Sequence, residues 1–394
     1  MIKYLPEFGW QPSVLTVEQD TFSSKDESLL NEIDKNLEVL KAKSFEPFNL
    51  YKKFTGRQNY EQLIASETIS TVNKGITHLI SIWVRMNLFV PDARIGWYYS
   101  AVKKGSAYLV KERIDAIITI GPPHSTHLVG MKLSKKFKIP HIPVFIDPWV
   151  DIIYYKEFKR SKPTLLLDNY LEKRVLQNSK SAVFVTQSMQ DDYIRKYPFL
   201  DNKSNVLYWG YDEEDFNNIN SEIQGDEETI VHAGNIFDFQ NTPEFWKHVK
   251  TEIDNGRKLK IKFIGTVSPG IRQTIENNGL ITYTEYMGFL PYSEMLKELS
   301  KASYLLVCST EPRHVPGKLF EYLRIGKPII AFGNNNREVE SILEKTNSGK
   351  MFCYNQDARE FFNNADRIKT DYSKIKTFNR ENIAKTLADI LNKI

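Results

Sequence analysis

The chain has 394 residues, of which 41% are hydrophobic and 26% are charged, and its formal net charge is +4. These values are typical of a globular protein of two or three domains, and they exclude a disordered chain or a strongly basic nucleic-acid-binding protein. The two cysteines, Cys308 and Cys353, are too few for a disulfide framework and match no metal-binding spacing. We therefore expect reduced thiols and a cytoplasmic location. No apolar run approaches the ~18 residues of a membrane span.

Short apolar strands alternate with helical patterns along the whole chain, which predicts an α/β fold with parallel sheets. In chain order, the predicted strands span 116–120, 143–146, 182–186, 229–233, 260–265, 304–308 and 328–331, and the clearest predicted helices span 127–137, 166–177 and 379–394.

An acidic, polar stretch at 213–228 has no hydrophobic periodicity and predicts an interdomain linker. We expect an amino-terminal Rossmann-like domain over 1–212 and a carboxy-terminal one over 229–377. The last helix, 378–394, is amphipathic and is expected to pack back toward the first domain.

Several polar side chains in the first half follow predicted strands, at the sheet edge where α/β proteins bind ligands. His124 and His127 follow the strand at 116–120, and either is a candidate to contact a substrate hydroxyl or a departing oxygen. A histidine at a helix start is alternatively a cap or a surface residue. Asp147 is a candidate to orient hydroxyls, or it closes an Asx turn. Thr186 and Ser188 either line a cleft that binds a substrate or cap a helix.

The segment 316–331 reads as a loop, a short helix, a glycine stop and a buried strand. Pro316 and Gly317 stand at the helix start, where free amides and the positive dipole end favour a phosphate. Glu321 lies inside this helix, one turn later. It is either a core carboxylate paired with a Lys or Arg, or a group that accepts hydrogen bonds from ribose hydroxyls.

The stretch 316–328 resembles the nucleotide-sugar signature of family 4 glycosyltransferases, in the variant P-x-K-L-F-E-Y-L-x-x-G-K-P. The resemblance covers nearly the whole chain and implies the GT-B architecture, two Rossmann-like domains facing a cleft. Further segments resemble one bacterial branch of this family in the same order, at 91–97, 121–133, 145–149, 186–188, 231–235 and 288–296.

The resemblance implies a retaining transferase that moves a sugar from a nucleotide-sugar donor to a saccharide or polyprenyl-linked acceptor, in surface polysaccharide biosynthesis. It implies neither a metal ion nor a cofactor. A non-hydrolysing nucleotide-sugar epimerase and an inactive scaffold or partner subunit stay open as alternatives. The candidate donor-binding residues are Gly234, Asn235, Glu311, Arg313, His314, Gly317, Lys318, Leu319 and Glu321.

Two departures from the family pattern concern this donor site. The position of the first glutamate of the family's paired-glutamate motif holds Arg313, and Glu311 lies two residues before it. A basic residue often follows the glycine turn at Gly234, whereas Gln240 stands near that place here. Because a leaving diphosphate needs cationic or N–H stabilisation, Lys318 or Arg313 is expected to supply the charge.

A third departure is at the amino terminus, where the chain starts at a segment that matches the end of the family's first helix and its second strand. We expect the first strand and its glycine-rich loop to be encoded upstream of Met1; the alternative is a chain that lacks them.

Residues 41–104 carry ten Lys or Arg against four Asp or Glu, interleaved with aromatic residues. This composition fits either a solvated face or contact with an anionic membrane surface.

Overall fold

The computed structural model describes residues 2–18, 34–44, 76–152, 160–217, 219, 227–309 and 311–394. The chain divides into two compact units, Met1–Leu207 with Ala384–Ile394 and Tyr208–Ile383. All paired strands run parallel in both units. The predicted α/β fold class is confirmed.

The first unit contains two parallel sheets. Its strands are β1 (Ser13–Val17), β2 (Glu38–Ala42), β3 (Ile117–Gly121), β4 (His141–Phe145), β5 (Ala182–Phe184) and β6 (Ser204–Val206), and its helices are α1 (Ile76–Leu88), α2 (Tyr98–Leu109), α3 (Ser125–Phe137), α4 (Lys162–Asn178) and α5 (Gln187–Lys196). β1 pairs with β2, and the other strands are ordered β3-β4-β5-β6. Every residue of β4 is buried, as expected of a central parallel strand covered on both faces.

A buried polar triad crosses the β3–β4 pair. The hydroxyl of Thr119 lies 2.8 Å from Nδ1 of His127 and 2.8 Å from Nε2 of His141. Burial lowers the pKa of His141 to about 3 and lowers the pKa of His127 well below its usual range. Both rings are therefore neutral at physiological pH and form part of the core.

The second unit contains a six-stranded parallel sheet in the order β12-β11-β10-β7-β8-β9. Renumbered within the unit, this is the Rossmann order 6-5-4-1-2-3, whose switch point lies between β7 and β10. Its strands are β7 (Glu228–Ala233), β8 (Leu259–Ile264), β9 (Thr284–Gly288), β10 (Tyr304–Cys308), β11 (Ile329–Phe332) and β12 (Gly349–Phe352).

Helices cover both faces of this sheet, and alternate strand residues point into the two layers. Ile230 and Leu306 belong to one buried cluster, and Val231 and Leu305 belong to the other. The helices are α6 (Pro243–Asp254), α7 (Pro269–Asn277), α8 (Tyr292–Ser300), α9 (Lys318–Ile325), α10 (Arg337–Thr346), α11 (Arg359–Asn364) and α12 (Tyr372–Ile375). A last helix, α13 (Arg380–Leu391), begins in this unit and belongs to the first unit from Ala384 on.

The predicted linker and final helix have definite places in these units. As far as residue 217, the acidic stretch is part of the second unit, where Phe216 is buried and Glu213 forms an ion pair with Arg324. Residues 218 and 220–226 lie outside the described part of the chain. The end of α13 belongs to the first unit, where Asn392 accepts a hydrogen bond of 3.0 Å from the Trp10 indole.

Candidate functional site

The switch point of the second unit is marked by two glycine turns. Gly234 follows β7 with φ +100°, and Gly265 follows β8 with φ +112°. A Cβ on Gly265 would lie 2.7 Å from the carbonyl oxygen of Gly234, and a Cβ on Gly234 would lie 2.7 Å from Nζ of Lys318. Both positions require glycine because the backbone is left-handed and the space is taken.

The ammonium group of Lys318 lies against the Gly234 turn, in a buried position. Its Nζ is 3.3 Å from Nε2 of His232, whose Nδ1 lies 3.0 Å from the carbonyl oxygen of Leu306. Since a carbonyl only accepts, His232 carries its proton on Nδ1 and offers the lone pair of Nε2 to Lys318. Burial lowers the pKa of Lys318 to about 8, and the neighbouring Glu321 carboxyl partly opposes this shift.

Lys318 is also the first residue of α9, so its charge adds to that of a helix N-terminus. The amides of Leu319 and Phe320 donate to the carbonyls of Pro316 and Gly317. Gly317 is the N-cap residue, and a Cβ placed there would meet nothing within 4 Å. The helix start is therefore open. With the amides of Leu319 and Phe320 already paired, the amides that precede them and the helix dipole favour an anion beside the ammonium.

Glu321 lies one helical turn after Lys318. Its Oε1 accepts a hydrogen bond of 3.4 Å from the Tyr292 hydroxyl, and its Oε2 is buried with no hydrogen-bond partner among the described residues. Burial raises the pKa of Glu321 to about 7, although its own amide, Arg380 and Tyr292 all favour the ionised form. A buried carboxylate oxygen without a partner is costly, which points to a hydrogen-bond donor supplied by a ligand.

The loop before α9 is held by Asn336. The side-chain amide of Asn336 donates to the Ser309 hydroxyl at 2.8 Å and to the carbonyls of Glu311 and His314 at 3.0 and 2.9 Å. Within this loop, Arg313 donates to Glu311 across 2.8 Å. Of the two residues expected to supply cationic charge, Lys318 lies at the glycine turn, whereas the Arg313 guanidinium is paired with Glu311.

The remaining second-unit candidates have structural contacts. Oδ1 of Asn235 accepts a hydrogen bond of 3.3 Å from the Thr266 amide, and Leu319 is fully buried in the core. Gln240 accepts from the Phe237 amide at 3.1 Å and donates to the Cys308 carbonyl at 3.2 Å. Gln240 therefore connects the ends of β7 and β10.

The first-unit candidates are more deeply buried than the sequence predicts. His124 is the N-cap residue of α3, which begins at Ser125, and its ring stacks on Trp149 with centroids 5.2 Å apart. The surface alternative is wrong for both histidines, because His127 is fully buried and His124 is 4% exposed. Asp147 is half-buried in the loop after β4.

Other first-unit residues have capping roles. The Thr186 hydroxyl accepts from the Met189 amide at 3.2 Å, so the helix cap is Thr186, and Ser188 lies inside α5. Asp92, in the motif at 91–97, accepts hydrogen bonds from the amide and hydroxyl of Ser125 at the start of α3.

Three residues of the candidate site were not singled out from the sequence. In the sequence, His232 looks like an ordinary strand residue. Its contact with Lys318 is known only from the structure, in which α9 packs against the end of β7. Tyr292 belongs to the family-like segment at 288–296, in which no single residue stands out. Asn336 immediately precedes a helical pattern, and this position predicts an N-cap. Its side-chain oxygen indeed accepts from the Val339 amide at 3.0 Å, but its contacts with the loop before α9 are not predicted.

No helix in the described ranges is long and apolar enough to cross a bilayer. Among the same residues, no three His, Cys, Asp or Glu side chains group in a way that fits a metal ion.

No family model and no curated protein matches the chain by sequence. Its structure resembles sucrose-phosphate synthase from Thermosynechococcus elongatus, with TM-score 0.58 and 13% identity over 97% of this chain and 99% of that one. It also resembles Anabaena HepE in complex with UDP and glucose, with TM-score 0.61 and 12% identity over 97% and 99% of the two chains. A third similar structure is the lipopolysaccharide outer core galactosyltransferase WaaB, with TM-score 0.56, 10% identity and coverage of 97% and 99%.

At these identities the likeness shows the fold, which is the GT-B fold with two Rossmann-like domains. The predicted fold is therefore confirmed at this level.

We expect Gly234→Ala to displace Lys318, because the new Cβ would lie 2.7 Å from its Nζ. Gly256→Ala is the matched control, since Gly256 has a similar φ of +96° but open space around it. Both variants should lose about 1–2 kcal/mol of unfolding free energy from backbone strain. Only Gly234→Ala should move the pKa of Lys318 upward, as followed by NMR of its Cε. An unchanged Lys318 pKa in Gly234→Ala would contradict the assigned contact.

Proposed function

We propose that this protein is a retaining family 4 glycosyltransferase that transfers a sugar from a nucleotide-sugar donor to a saccharide or lipid-linked acceptor. The observation that carries the proposal is the arrangement on α9. The Lys318 ammonium lies at the Gly234 turn, and one helical turn later Glu321 has a buried carboxylate oxygen without a hydrogen-bond partner among the described residues. The structure of HepE with UDP-glucose is consistent with such a donor.

In this proposal the diphosphate of the donor binds beside Lys318 and the leading amides of α9. The ammonium and the helix dipole offset the charge that grows on the diphosphate as it leaves. The ribose hydroxyls then lie one turn along the helix, where they donate to Oε2 of Glu321. Each such charge-assisted hydrogen bond contributes roughly 1.5–3 kcal/mol.

Transfer with retention needs no dedicated protein base. The bond between the anomeric carbon and the diphosphate oxygen breaks, and the acceptor oxygen bonds to that carbon on the same face. The acceptor proton passes to a phosphate oxygen of the leaving group. Holding both substrates in this geometry lowers the barrier by several kcal/mol.

We assign the acceptor to the first unit, in which His124, His127 and Asp147 are the candidate contacts. The two histidines are neutral because burial lowers the pKa of His124 to about 3 and that of His127 well below its usual range. They are therefore suited to hydrogen bonding and not to carrying charge. We place the reaction in the cytoplasm, in the biosynthesis of a surface polysaccharide.

The activity test is incubation with UDP- and GDP-sugars and candidate acceptors, with NMR of the anomeric signal. We expect a product with the donor's anomeric configuration. An inverted product would overturn retention, and conversion of the donor sugar without acceptor would support the epimerase. Nucleotide binding without either reaction would support the scaffold.

Glu321→Gln should weaken binding of UDP or GDP at least ~10-fold, because the ribose diol loses an ionised acceptor. Titration calorimetry measures the change, and circular dichroism checks that the fold is kept. Glu344→Gln, which removes a carboxylate from the exposed face of α10, is the matched control and should bind as wild type. Equal affinities for both variants would remove Glu321 from the site.

Nucleotide affinity should be highest between about pH 7 and pH 8, the pKa values of Glu321 and Lys318. Above this window Lys318 loses its proton and its attraction for the diphosphate. Below it Glu321 gains a proton and stops accepting from both ribose hydroxyls. We expect calorimetry from pH 6 to about pH 9.5 to show both losses of affinity in wild type. Lys318→Gln should remove the loss of affinity at alkaline pH, and Glu321→Gln should reduce the loss at acid pH. Identical limbs in wild type and variants would contradict the assignment.

A further inference from the structure

Helix α4 of the first unit has its polarity reversed as far as Glu172, after which Val175 and Leu176 are buried in the ordinary way. In the reversed part the buried residues are Thr164, Asp168 and Glu172, and both carboxylates are 0% exposed. Its outward face carries Leu166, Leu167 and Tyr170, which are 72%, 47% and 52% exposed. A surface helix normally places its apolar residues inward, so three exposed apolar side chains within five residues indicate a surface that contacts something else.

The buried carboxylates of α4 are stabilised by specific partners. Asp168 accepts from the Trp149 indole at 2.6 Å and forms an ion pair with Arg160. Glu172 accepts from Lys196 and from the hydroxyls of Tyr193 and Tyr197 at 2.7, 2.9 and 2.8 Å. These contacts fix the rotation of α4 about its axis, so that its apolar side chains face outward.

The same rotation gives the outward face a single sign of charge. Asp168 and Glu172 are the acidic residues of α4, and both are removed from solvent. Lys162, Lys173 and Arg174 are exposed. The Arg174 guanidinium lies 5.4 Å above the Tyr170 ring and donates to its hydroxyl at 2.7 Å. The face is therefore apolar with a basic border.

Helix α1 meets the start of α4 and has the same character. The Asn87 side chain accepts from the Ser161 amide at 2.6 Å, and the Asn87 carbonyl accepts from the Thr164 hydroxyl at 3.1 Å. The helix contains no acidic residue. Its side chains Ile80, Trp83 and Leu88 are 57%, 52% and 63% exposed.

We propose that the outward side chains of α1 and α4 form a docking surface for an anionic lipid bilayer. Leucine, isoleucine and tryptophan side chains enter the headgroup and acyl boundary, while Lys and Arg contact anionic headgroups. The charge pattern favours a bilayer over a protein partner, because the described residues of α1 and α4 include no exposed acid and their basic border complements a uniformly anionic surface. The proposal does not depend on the proposed transferase activity, since no residue of the second unit takes part.

The test is sedimentation of the full chain with phosphatidylcholine vesicles, with and without phosphatidylglycerol. Wild type should bind the anionic vesicles at least ~10-fold more tightly than the neutral ones. Leu166→Ser with Tyr170→Ser, and Lys173→Glu with Arg174→Glu, should each reduce anionic binding by ~10-fold or more. Val110→Ser with Ile281→Ser is the control, because both residues are exposed apolar side chains elsewhere, 76% and 55% exposed.

Two results would overturn the proposal: equal binding by wild type and both double variants, or no binding of wild type to anionic vesicles. A lipid-free dimer that the serine variant dissociates would show instead that a second copy covers this surface. Brominated lipid gives a second readout, with a conservative variant that keeps an aromatic ring at the surface. It should quench wild-type tryptophan fluorescence more than that of Trp83→Phe, and equal quenching would contradict insertion of Trp83.

Discussion

The buried contact between the Lys318 ammonium and the Gly234 turn is the constraint on which the second unit's site depends. One short helix makes three connections to the end of β7. Lys318 lies against Gly234 and His232, and Tyr322 accepts a hydrogen bond of 2.9 Å from the Ala233 amide. Because these contacts fix Lys318 and Tyr322, they also fix the position of Glu321, which lies between them on α9. A lysine in this position keeps a pKa near 8 and stays mostly charged at neutral pH, ready to attract an anion.

Buried carboxylates occur in both units, and their partners separate a structural role from a ligand-binding one. Glu172 in the first unit accepts from Lys196, Tyr193 and Tyr197, and these contacts satisfy it within the protein. In the second unit, Oε1 of Glu321 accepts a long hydrogen bond from Tyr292, and Oε2 is buried without a hydrogen-bond partner among the described residues. The first arrangement orients a helix, whereas the second is complete only with a donor from outside the chain.

Periodicity predicts the buried strands of both units, because buried parallel strands are continuous apolar runs bounded by turns. It does not predict β1, β2, β6, β9 and β12, since these strands are only partly buried and lack such a run. The strand at 304–308 is predicted to the residue, and the other named strands shift by one or two positions at either end. The helix stop at Gly326 is likewise predicted from the sequence, and its φ of +79° confirms it.

The sequence does not show which distant segments lie close together in the fold. The place of His232 under Lys318 and the burial of His127 both depend on contacts between distant elements. The burial of Asp168 and Glu172 on α4 could not be predicted for the same reason. Acidic residues in a helix are expected to face solvent unless their buried partners are known.

The most direct measurement is a crystal structure of the protein with UDP. The account predicts the diphosphate within hydrogen-bond distance of Lys318 Nζ and the amides at the start of α9, with a ribose hydroxyl on Oε2 of Glu321. A nucleotide bound elsewhere on the second unit, with Lys318 still against His232 and Oε2 of Glu321 still without a partner, would contradict it.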